Sequence, residues 1–218
     1  MKINSSTSII GDKIILVPYR EYHVPKYHEW MSKQEIQDLT SSEPLSLEEE
    51  YEMCEKWKND DDKLTFIILN RDCYENIDNT VASSEKEIKS MVGDVNLFVN
   101  ENEIINNVNM KVGELEIMIA EKVNRGLGFG KEAIKLMIYY SLQHLTDITT
   151  FIVKITEDNL ASLQMFQKVF GFSQYDHIKV FKQLCLKLKI EDHFLDKITN
   201  EICVRFRKDY KLKINYDY

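Results

Sequence analysis

The feature that most constrains this chain is a glycine-rich run, Arg125-Gly126-Leu127-Gly128-Phe129-Gly130. The chain has seven glycines in 218 residues, and three of them fall in this run. An alternating apolar stretch, 112–120, precedes the run, and apolar residues at helical spacing, 131–145, follow it. The sequence therefore predicts a loop that joins the end of a strand to the start of a helix.

A loop in this position is suited to phosphate. The first N–H groups of a helix have no partner within the helix, and they carry the positive end of the helix dipole. Two familiar phosphate-binding patterns nevertheless do not fit. The dinucleotide pattern G-x-G-x-x-G requires a glycine where Lys131 stands. The P-loop pattern requires serine or threonine where Glu132 stands.

Two signatures resemble the GNAT acetyltransferase superfamily, whose members bind acetyl-CoA. The pattern R-x-x-G-x-G, which begins at Arg125, resembles the pyrophosphate loop of that superfamily. Downstream, the run Asn159-Leu160-Ala161-Ser162 resembles the second signature, N-x-x-S, which a K-x-G-F run normally follows. One residue too many separates Lys168 from Gly171, so the final turn of this helix departs from the usual pattern.

Other stretches resemble a narrower group, the N-acetyltransferase 9 family, eukaryotic GNAT proteins akin to the ribosomal-protein N-terminal acetyltransferases. The resemblance implies an acetyltransferase that uses acetyl-CoA and accepts a protein or peptide amine. It extends over roughly residues 8–190 and includes the segments 16–19, 27–31, 39–45, 91–98, 116–121 and 165–168.

The order of predicted elements, β-α-α-β-β-β-loop-α-β-α-β-β, indicates an α/β protein. The resemblance implies the GNAT (acyl-CoA N-acyltransferase) fold, a mixed, mostly antiparallel central sheet flanked by helices. We expect residues 1–190 to form this domain. Residues 191–218 are expected to form a C-terminal helical extension that covers the core or docks a protein partner. The polar stretches 70–89 and 100–109 are predicted to be loops.

Local patterns predict further details. Residues 1–8 are expected to be a polar lead-in, 21–33 a helix and 39–45 a loop. Ser46 followed three residues later by Glu49 forms a capping box that begins the next helix.

The net charge of −8 and the pI near 5.2 argue against a nucleic-acid-binding protein, which normally carries a basic surface. The same charge is compatible with a cationic substrate such as an amine. No apolar run approaches the length of a membrane span and no secretory signal is evident, so a cytoplasmic protein without membrane contact is expected. The histidines and cysteines lack zinc-ligand spacing, so no metal is expected.

The resemblance also implies which residues bind acetyl-CoA. Backbone groups of the strand before the loop hold the pantetheine arm and polarise the thioester carbonyl, while the loop amides and an arginine bind the pyrophosphate. An asparagine and an aromatic residue on the second signature helix complete the site. The expected cofactor-binding residues are Ile117, Met118, Ile119, Arg125, Gly126, Leu127, Gly128, Phe129, Gly130, Asn159 and Phe166.

Acetyl transfer to an amine requires a base that removes a proton from the attacking amine. Glu114 and Glu116 lie on one face of the predicted strand, and the resemblance favours Glu116 as the catalytic base. An ordinary solvent-side carboxylate is an equally good interpretation. An α-amine, with a pKa of about 7.7–8.0, is easier to neutralise than a lysine near 10.4, which favours an N-terminal acceptor.

The proton donor for the leaving thiolate is less evident. Many GNAT enzymes have a tyrosine where this chain has Phe166, which cannot donate a proton. Ser162 shares a helix face with Asn159 and Phe166 and is the candidate donor, although a structural hydroxyl is equally compatible. In the loop between the first two helices, Glu43 could bind the incoming amine or simply be solvated.

Three functions follow from these patterns. The first is an acetyl-CoA-dependent N-acetyltransferase acting on a protein or peptide amine, most readily an N-terminal one. The second, motivated by Phe166, is an acetyl-CoA-binding scaffold or stabilising protein with little catalysis. The third is an acetyltransferase for a small-molecule amine.

Overall fold

A computed structural model describes residues 2–105, 108–145, 147–191 and 213–214 of the chain. Its centre is a single sheet, formed by nine strands within these residues. The strands are β1 (Thr7–Ile10), β2 (Ile14–Pro18), β3 (Lys63–Asn70), β4 (Met91–Ile105), β5 (Val108–Ile119), β6 (Ile148–Thr156), β7 (Ser173–Ile178), β8 (Gln183–Lys189) and β9 (Lys213–Ile214).

The spatial order of the strands is β7-β8-β6-β5-β4-β3-β2-β1-β9. Every neighbouring pair is antiparallel except β5 and β6, which run parallel. The parallel pair ends at Glu114 opposite Ile152, although β5 continues to Ile119 and β6 to Thr156. The sheet therefore splits between these two strands and leaves one edge of β5 open.

Helices pack on both faces of the sheet, as predicted for an α/β protein with a mixed, mostly antiparallel sheet. Four short 3-10 turns, Lys2–Asn4, Glu21–His23, Lys122–Asn124 and Lys179–Phe181, connect the elements. The helices are α1 (Val24–Met31), α2 (Gln34–Thr40), α3 (Leu47–Asn59), α4 (Arg71–Asn76), α5 (Ser83–Ser90), α6 (Phe129–His144) and α7 (Leu160–Gln164), the last continued by a π-helical turn, Met165–Val169.

Alternation along the strands divides the core into two layers. The helix α6 lies in one layer, where Ile134 and Met137 are fully buried against residues such as Phe151. The other layer holds α1 to α3 and is centred on Trp30. The apolar stripe predicted for the α6 region is confirmed, because its residues meet the inward side chains of the strands.

Two local predictions are confirmed by hydrogen bonds. The backbone N–H of Ser46 donates to Glu49 at 2.8 Å, and the N–H of Glu49 donates to the Ser46 hydroxyl at 3.3 Å, which is the expected capping box at the start of α3. The surplus residue before Gly171 is accommodated by the π-helical turn, in which the N–H of Phe170 donates to the carbonyl of Met165 at 3.3 Å.

Five predictions about loops and boundaries are wrong. The stretch 70–89 contains α4 and α5, and residues 100–105 and 108–109 continue β4 and β5, which pair as a long antiparallel ladder. The lead-in 1–8 contributes the start of β1, and the expected helix 21–33 is a 3-10 turn followed by α1. A further helix, α2, reaches into the expected loop 39–45 and ends at Thr40.

These errors have a physical cause. Polar composition suggested loops, but short exposed helices and hairpins satisfy their backbone groups without an apolar face. Asn70, for example, caps α4 by accepting the N–H of Cys73 at 3.1 Å. The hydroxyl of Tyr22 and the ring of His23 bond Glu87 of α5 at 2.8 and 3.0 Å. These contacts, distant in sequence, anchor a segment that has no clear hydrophobic period.

The expected helical extension, 191–218, lies outside the described residues apart from Glu191 and the two residues of β9, where Ile214 pairs with Thr7 of β1. The boundary at residue 190 stays a prediction. Within the described part of the chain, none of the helices is long and apolar enough to cross a membrane.

Candidate active site

The glycine-rich loop lies at the end of the open edge of β5. Gly126 and Gly128 have positive φ angles of 76° and 88°, a conformation that glycine adopts at little cost. Both are exposed, and Gly128 is the N-cap of α6. A Cβ placed on Gly130 would lie 3.7 Å from the side chains of Ile117 and Ile119, so the loop packs directly on β5. The predicted strand–loop–helix is thus present, with the loop exposed at the start of α6, and its contact with phosphate stays a prediction.

The side chains of two predicted loop residues contact other parts of the protein. The ring of Phe129 is buried in the core, so only its backbone can face a ligand. Arg125 donates to the carbonyls of Ile119 at 2.9 Å and Ala120 at 3.3 Å and forms an ion pair with Glu35 at 2.7 Å. Arg125 therefore ties α2 to the end of β5, and its contact with phosphate stays a prediction.

A lysine that the sequence patterns did not indicate lies beside the loop. The Nζ of Lys13 donates to the carbonyl of Leu127 at 2.8 Å and would lie 3.5 Å from a Cβ on Gly128. The Glu132 side chain holds this turn against the first turn of α6 by accepting the backbone N–H of Lys13 at 3.2 Å. Lys13 precedes β2, far from the loop in sequence, so no local pattern could have identified it.

A cavity of about 420 Å³ opens where β5 and β6 separate. It brings together all three of the predicted catalytic and substrate-binding residues and several of the predicted cofactor-binding residues. The glycine loop lies at the end of the β5 wall rather than in the cavity lining. The predicted residues that line the cavity are Glu43, Glu116, Ile117, Met118, Asn159, Ser162 and Phe166.

The two carboxylates of β5 have different environments. Glu114 forms an ion pair with Lys154 of β6 at 2.9 Å. Glu116, opposite Asn96 of β4, is accessible from the cavity, yet it lies deep enough that loss of hydration raises its pKa. The cation of Lys63 is the strongest opposing influence on that pKa. Of the two, Glu114 is the carboxylate that a lysine side chain contacts directly.

Polar side chains on β3 and β4 form the floor of the cavity beside Glu116. Asp94, 3% exposed, accepts hydrogen bonds from Asn96 at 2.7 Å and from the Tyr27 hydroxyl at 3.4 Å. Burial raises the pKa of Asp94 to about 6. Lys63 is buried over the ring of Trp57, and burial lowers the pKa of its ammonium.

One sequence pattern indicates this polar floor. Lys63 and Thr65 alternate with apolar residues on β3, and Asp94 and Asn96 do so on β4. Alternation at period two places such side chains on one face of the sheet. Polar residues of this kind inside otherwise apolar strands indicate a polar cavity rather than a uniform core.

The second signature helix supplies the opposite wall. The side-chain oxygen of Asn159 accepts the N–H of Ser162 at 3.2 Å and so caps α7, which leaves its amide nitrogen for other contacts. Ser162 is half-buried and lines the cavity. Phe166 also lines it, and its ring packs on Phe170 and Phe172 with centroids 5.9 and 5.1 Å apart. The roles predicted for these side chains stay predictions.

The cavity wall formed by α3 and the loop after α2 carries further carboxylates. Glu43 is exposed at the rim, in the loop after α2. Glu50 of α3 lines the cavity with a side chain that is 1% exposed. This wall therefore adds two carboxyl groups to the cavity, one exposed at the rim and one buried.

Comparison with known proteins identifies the family. Residues 13–172 match the family described as "Acetyltransferase (GNAT) domain". The N-acetyltransferase 9-like protein of Caenorhabditis briggsae is 45% identical over 197 residues, 89% of this chain and 93% of the relative. The Alpha/beta-tubulin-N-acetyltransferase 9 of Homo sapiens is 42% identical over 193 residues, 88% of this chain and 87% of the relative.

Solved structures show the same fold. The spermidine N-acetyltransferase of Vibrio cholerae, in complex with CoA and spermine, has a TM-score of 0.61 at 18% identity, covering 83% of this chain and 96% of that one. The predicted GNAT fold is thus confirmed. By sequence and by fold, the chain is an acetyltransferase that belongs to the GNAT superfamily and, within it, to the N-acetyltransferase 9 family.

Proposed function

We propose that the protein transfers the acetyl group of acetyl-CoA to the N-terminal α-amine of a protein or peptide. The observation that carries the proposal is the split between β5 and β6, which exposes an edge of β5 beside Glu116 and ends at the glycine loop. This arrangement fits acetyl-CoA, because the loop offers amides for the pyrophosphate and the open edge offers backbone groups for the pantetheine arm.

Acetyl-CoA supplies an activated acyl group, and the residues of the chain supply proton transfer and positioning. Glu116 accepts the proton that the amine loses as its nitrogen forms the new C–N bond. Burial raises the pKa of Glu116 toward neutral pH. A general base is most effective when its pKa lies near the pH at which the enzyme works. Ser162, on the opposite wall, is the donor for the departing thiolate, and its hydroxyl regains a proton from water as the thiolate takes one up.

A protein acceptor is supported by the relatives, because those of Drosophila melanogaster and Homo sapiens are named Alpha/beta-tubulin-N-acetyltransferase 9. An α-amine is favoured over a lysine because neutralising it at pH 7 costs only about 1 kcal/mol. We also propose a cytoplasmic location, since Cys54, Cys73 and Cys185 are free thiols, as is usual in a reducing compartment.

The test is the substitution Glu116→Gln, with CoA release from acetyl-CoA and a peptide library as the measurement. We expect kcat/KM to fall by about 100-fold or more, because the amide cannot accept a proton. The affinity for CoA should be unchanged, since the proposed pyrophosphate contacts lie in the loop.

Glu114→Gln is the matched control, because it removes a carboxylate from the same strand face and should have a smaller effect. Unchanged turnover in the Glu116 variant would remove Glu116 from the mechanism. CoA binding by the wild-type protein without acetylation of any peptide would favour the scaffold alternative that Phe166 suggested.

A further inference from the structure

We propose that Glu50 forms a second acceptor subsite, which binds a basic side chain in the first residues of the peptide whose amine is acetylated. The inference rests on the proposed function, because it assigns the substrate class for the same cavity. It is carried by the position of Glu50, whose side chain lines the cavity and has an oxygen, Oε2, without a hydrogen-bond partner among the described residues.

Glu50 is buried without adequate partners. Its Oε2 atom has no hydrogen-bond partner among the described residues. Its Oε1 atom lies 3.9 Å from Nδ1 of His28, which is beyond hydrogen-bond distance. Nδ1 of His28 likewise lacks a hydrogen-bond partner in the described part of the chain. A buried carboxylate in this state is costly unless a cation or an N–H donor reaches it.

The other acidic groups of the cavity are better satisfied. Asp94 accepts two hydrogen bonds from neighbouring side chains, and Glu114 is paired with Lys154. The cation of Lys63 favours the ionised form of Glu116. Glu50 is therefore the buried carboxylate in the described cavity that most needs a partner from the ligand.

Electrostatics agree with this assignment. Burial is the main cause that raises the pKa of Glu50 to about 7, and the negative charge of the nearby Asp94 is the second cause. A bound cation would favour the ionised form and offset both effects. A hydroxyl or amide of the ligand would offset them much less.

The surroundings of Glu50 suit a long basic side chain. Met31, Met53 and Tyr27 line the same cavity and provide apolar walls for a methylene stem whose charged end reaches the carboxylate. Glu43 at the rim adds a second negative charge on the route into the cavity.

The reacting amine itself is not the intended partner. It must approach Glu116 on the split edge of β5, whereas Glu50 projects from the α3 wall. Two carboxylates on two different elements allow one ligand to be held by its amine and by a neighbouring basic side chain.

The experiment compares pairs of short peptides that have a free α-amine. The two peptides of a pair differ at one position, and separate pairs test the first, second and third positions. That position carries arginine or its neutral isostere citrulline, neither of which adds an amine that could be acetylated. At one of the positions, we expect the wild-type kcat/KM to be at least about 10-fold higher for arginine, as for a charge-assisted hydrogen bond. In Glu50→Gln the ratio should fall to near one, mainly through loss of activity on the arginine peptide.

The control is Glu48→Gln, which removes the same charge from an exposed position of α3 and should preserve the arginine preference. Glu50→Met, also neutral, repeats the test without any hydrogen-bonding group at the site. Thermal unfolding of both Glu50 variants should show no loss of stability, because an unsatisfied buried carboxylate is removed.

Calorimetric binding of the same peptides to the CoA-saturated protein separates the two proposals. If no peptide is acetylated but arginine peptides bind more tightly in a Glu50-dependent manner, the proposed function fails and the subsite stands. If neutral and basic peptides are acetylated and bound equally well, or if the preference survives in both Glu50 variants, the subsite is overturned and the proposed function stands.

Discussion

At the scale of single residues, Lys63 opposes the effect of burial on the pKa of the proposed base, Glu116. Its ammonium is buried beside the rings of Trp57 and Phe98 and lowers the pKa of Glu116 against the effect of burial. Lys154 of β6 acts in the same direction more weakly, while Glu114 of β5 acts against both. The protonation of Glu116 therefore depends on residues of three strands.

Lys63→Met should move the acidic limb of the pH–activity profile to higher pH. Removing the cation raises the pKa of Glu116. Because the base acts only when it is deprotonated, activity then begins at a higher pH. The measurement is kcat/KM between about pH 5.5 and 9. Lys154→Met is the matched control and should cause a smaller shift in the same direction. Identical profiles for Lys63→Met and the wild type would contradict the predicted coupling.

The sequence predicted part of the site at this scale. Glu116, Ser162 and Asn159 were identified from short signatures, and the structure places all three around one cavity. Lys63 was not identified, although it alternates with apolar residues on β3, and Glu50 belongs to no local pattern. Their environment depends on α3 packing over β3 and β4, which no short stretch of sequence encodes.

At the scale of elements, α7 shows how a helix absorbs a surplus residue. The π-helical turn Met165–Val169 keeps Phe166 and Phe170 in the core although one residue too many precedes Gly171. A departure from the family signature is thus confined to one turn, and the side chains that line the cavity are unaffected.

Deletion of Val169, which is 43% exposed, should convert this turn into regular α-helix. We expect the free energy of unfolding to change by no more than about 1 kcal/mol, because no core side chain is removed. Deletion of the exposed Gln164 is the control, since it would rotate Phe166 away from its site and cost about 3 kcal/mol or more. Urea unfolding measures both, and equal losses would show that the π turn is not the adjustable element.

At the scale of the whole molecule, bound CoA should contact elements on both sides of the split in the sheet and stabilise the folded protein. Its proposed site touches the glycine loop, the open edge of β5 and α7. A ligand that binds only the folded protein adds about 2.7 kcal/mol at 100 times its Kd, or about 5–10 °C in Tm for a chain of this size.

Gly126→Ala should reduce this stabilisation by CoA, whereas Gly171→Ala should preserve it. The two glycines have φ angles of 76° and 78°, and a Cβ on either meets no atom within 4 Å. Each substitution therefore carries a similar backbone cost of about 1 kcal/mol. Only Gly126 lies in the loop, so thermal unfolding with and without CoA separates ligand contact from strain. An equal shift in both variants would remove the loop from the binding site.

The sequence by itself determined the features that depend on near neighbours. The strand–loop–helix around Gly128, the capping box at Ser46 and the stripe of α6 follow from residues within a few turns of one another, so they could be predicted and are confirmed. The glycine loop, together with the second signature at Asn159 and Ser162, also carried the resemblance to the family, which the comparisons confirm.

Only the tertiary structure decided where β5 and β6 separate and which charges share the resulting cavity. Glu50, Asp94 and Glu116 come from α3, β4 and β5, and strand register and helix packing bring them together. Their unusual pKa values arise from that shared burial, which is a property of the assembled layers and not of any single stretch.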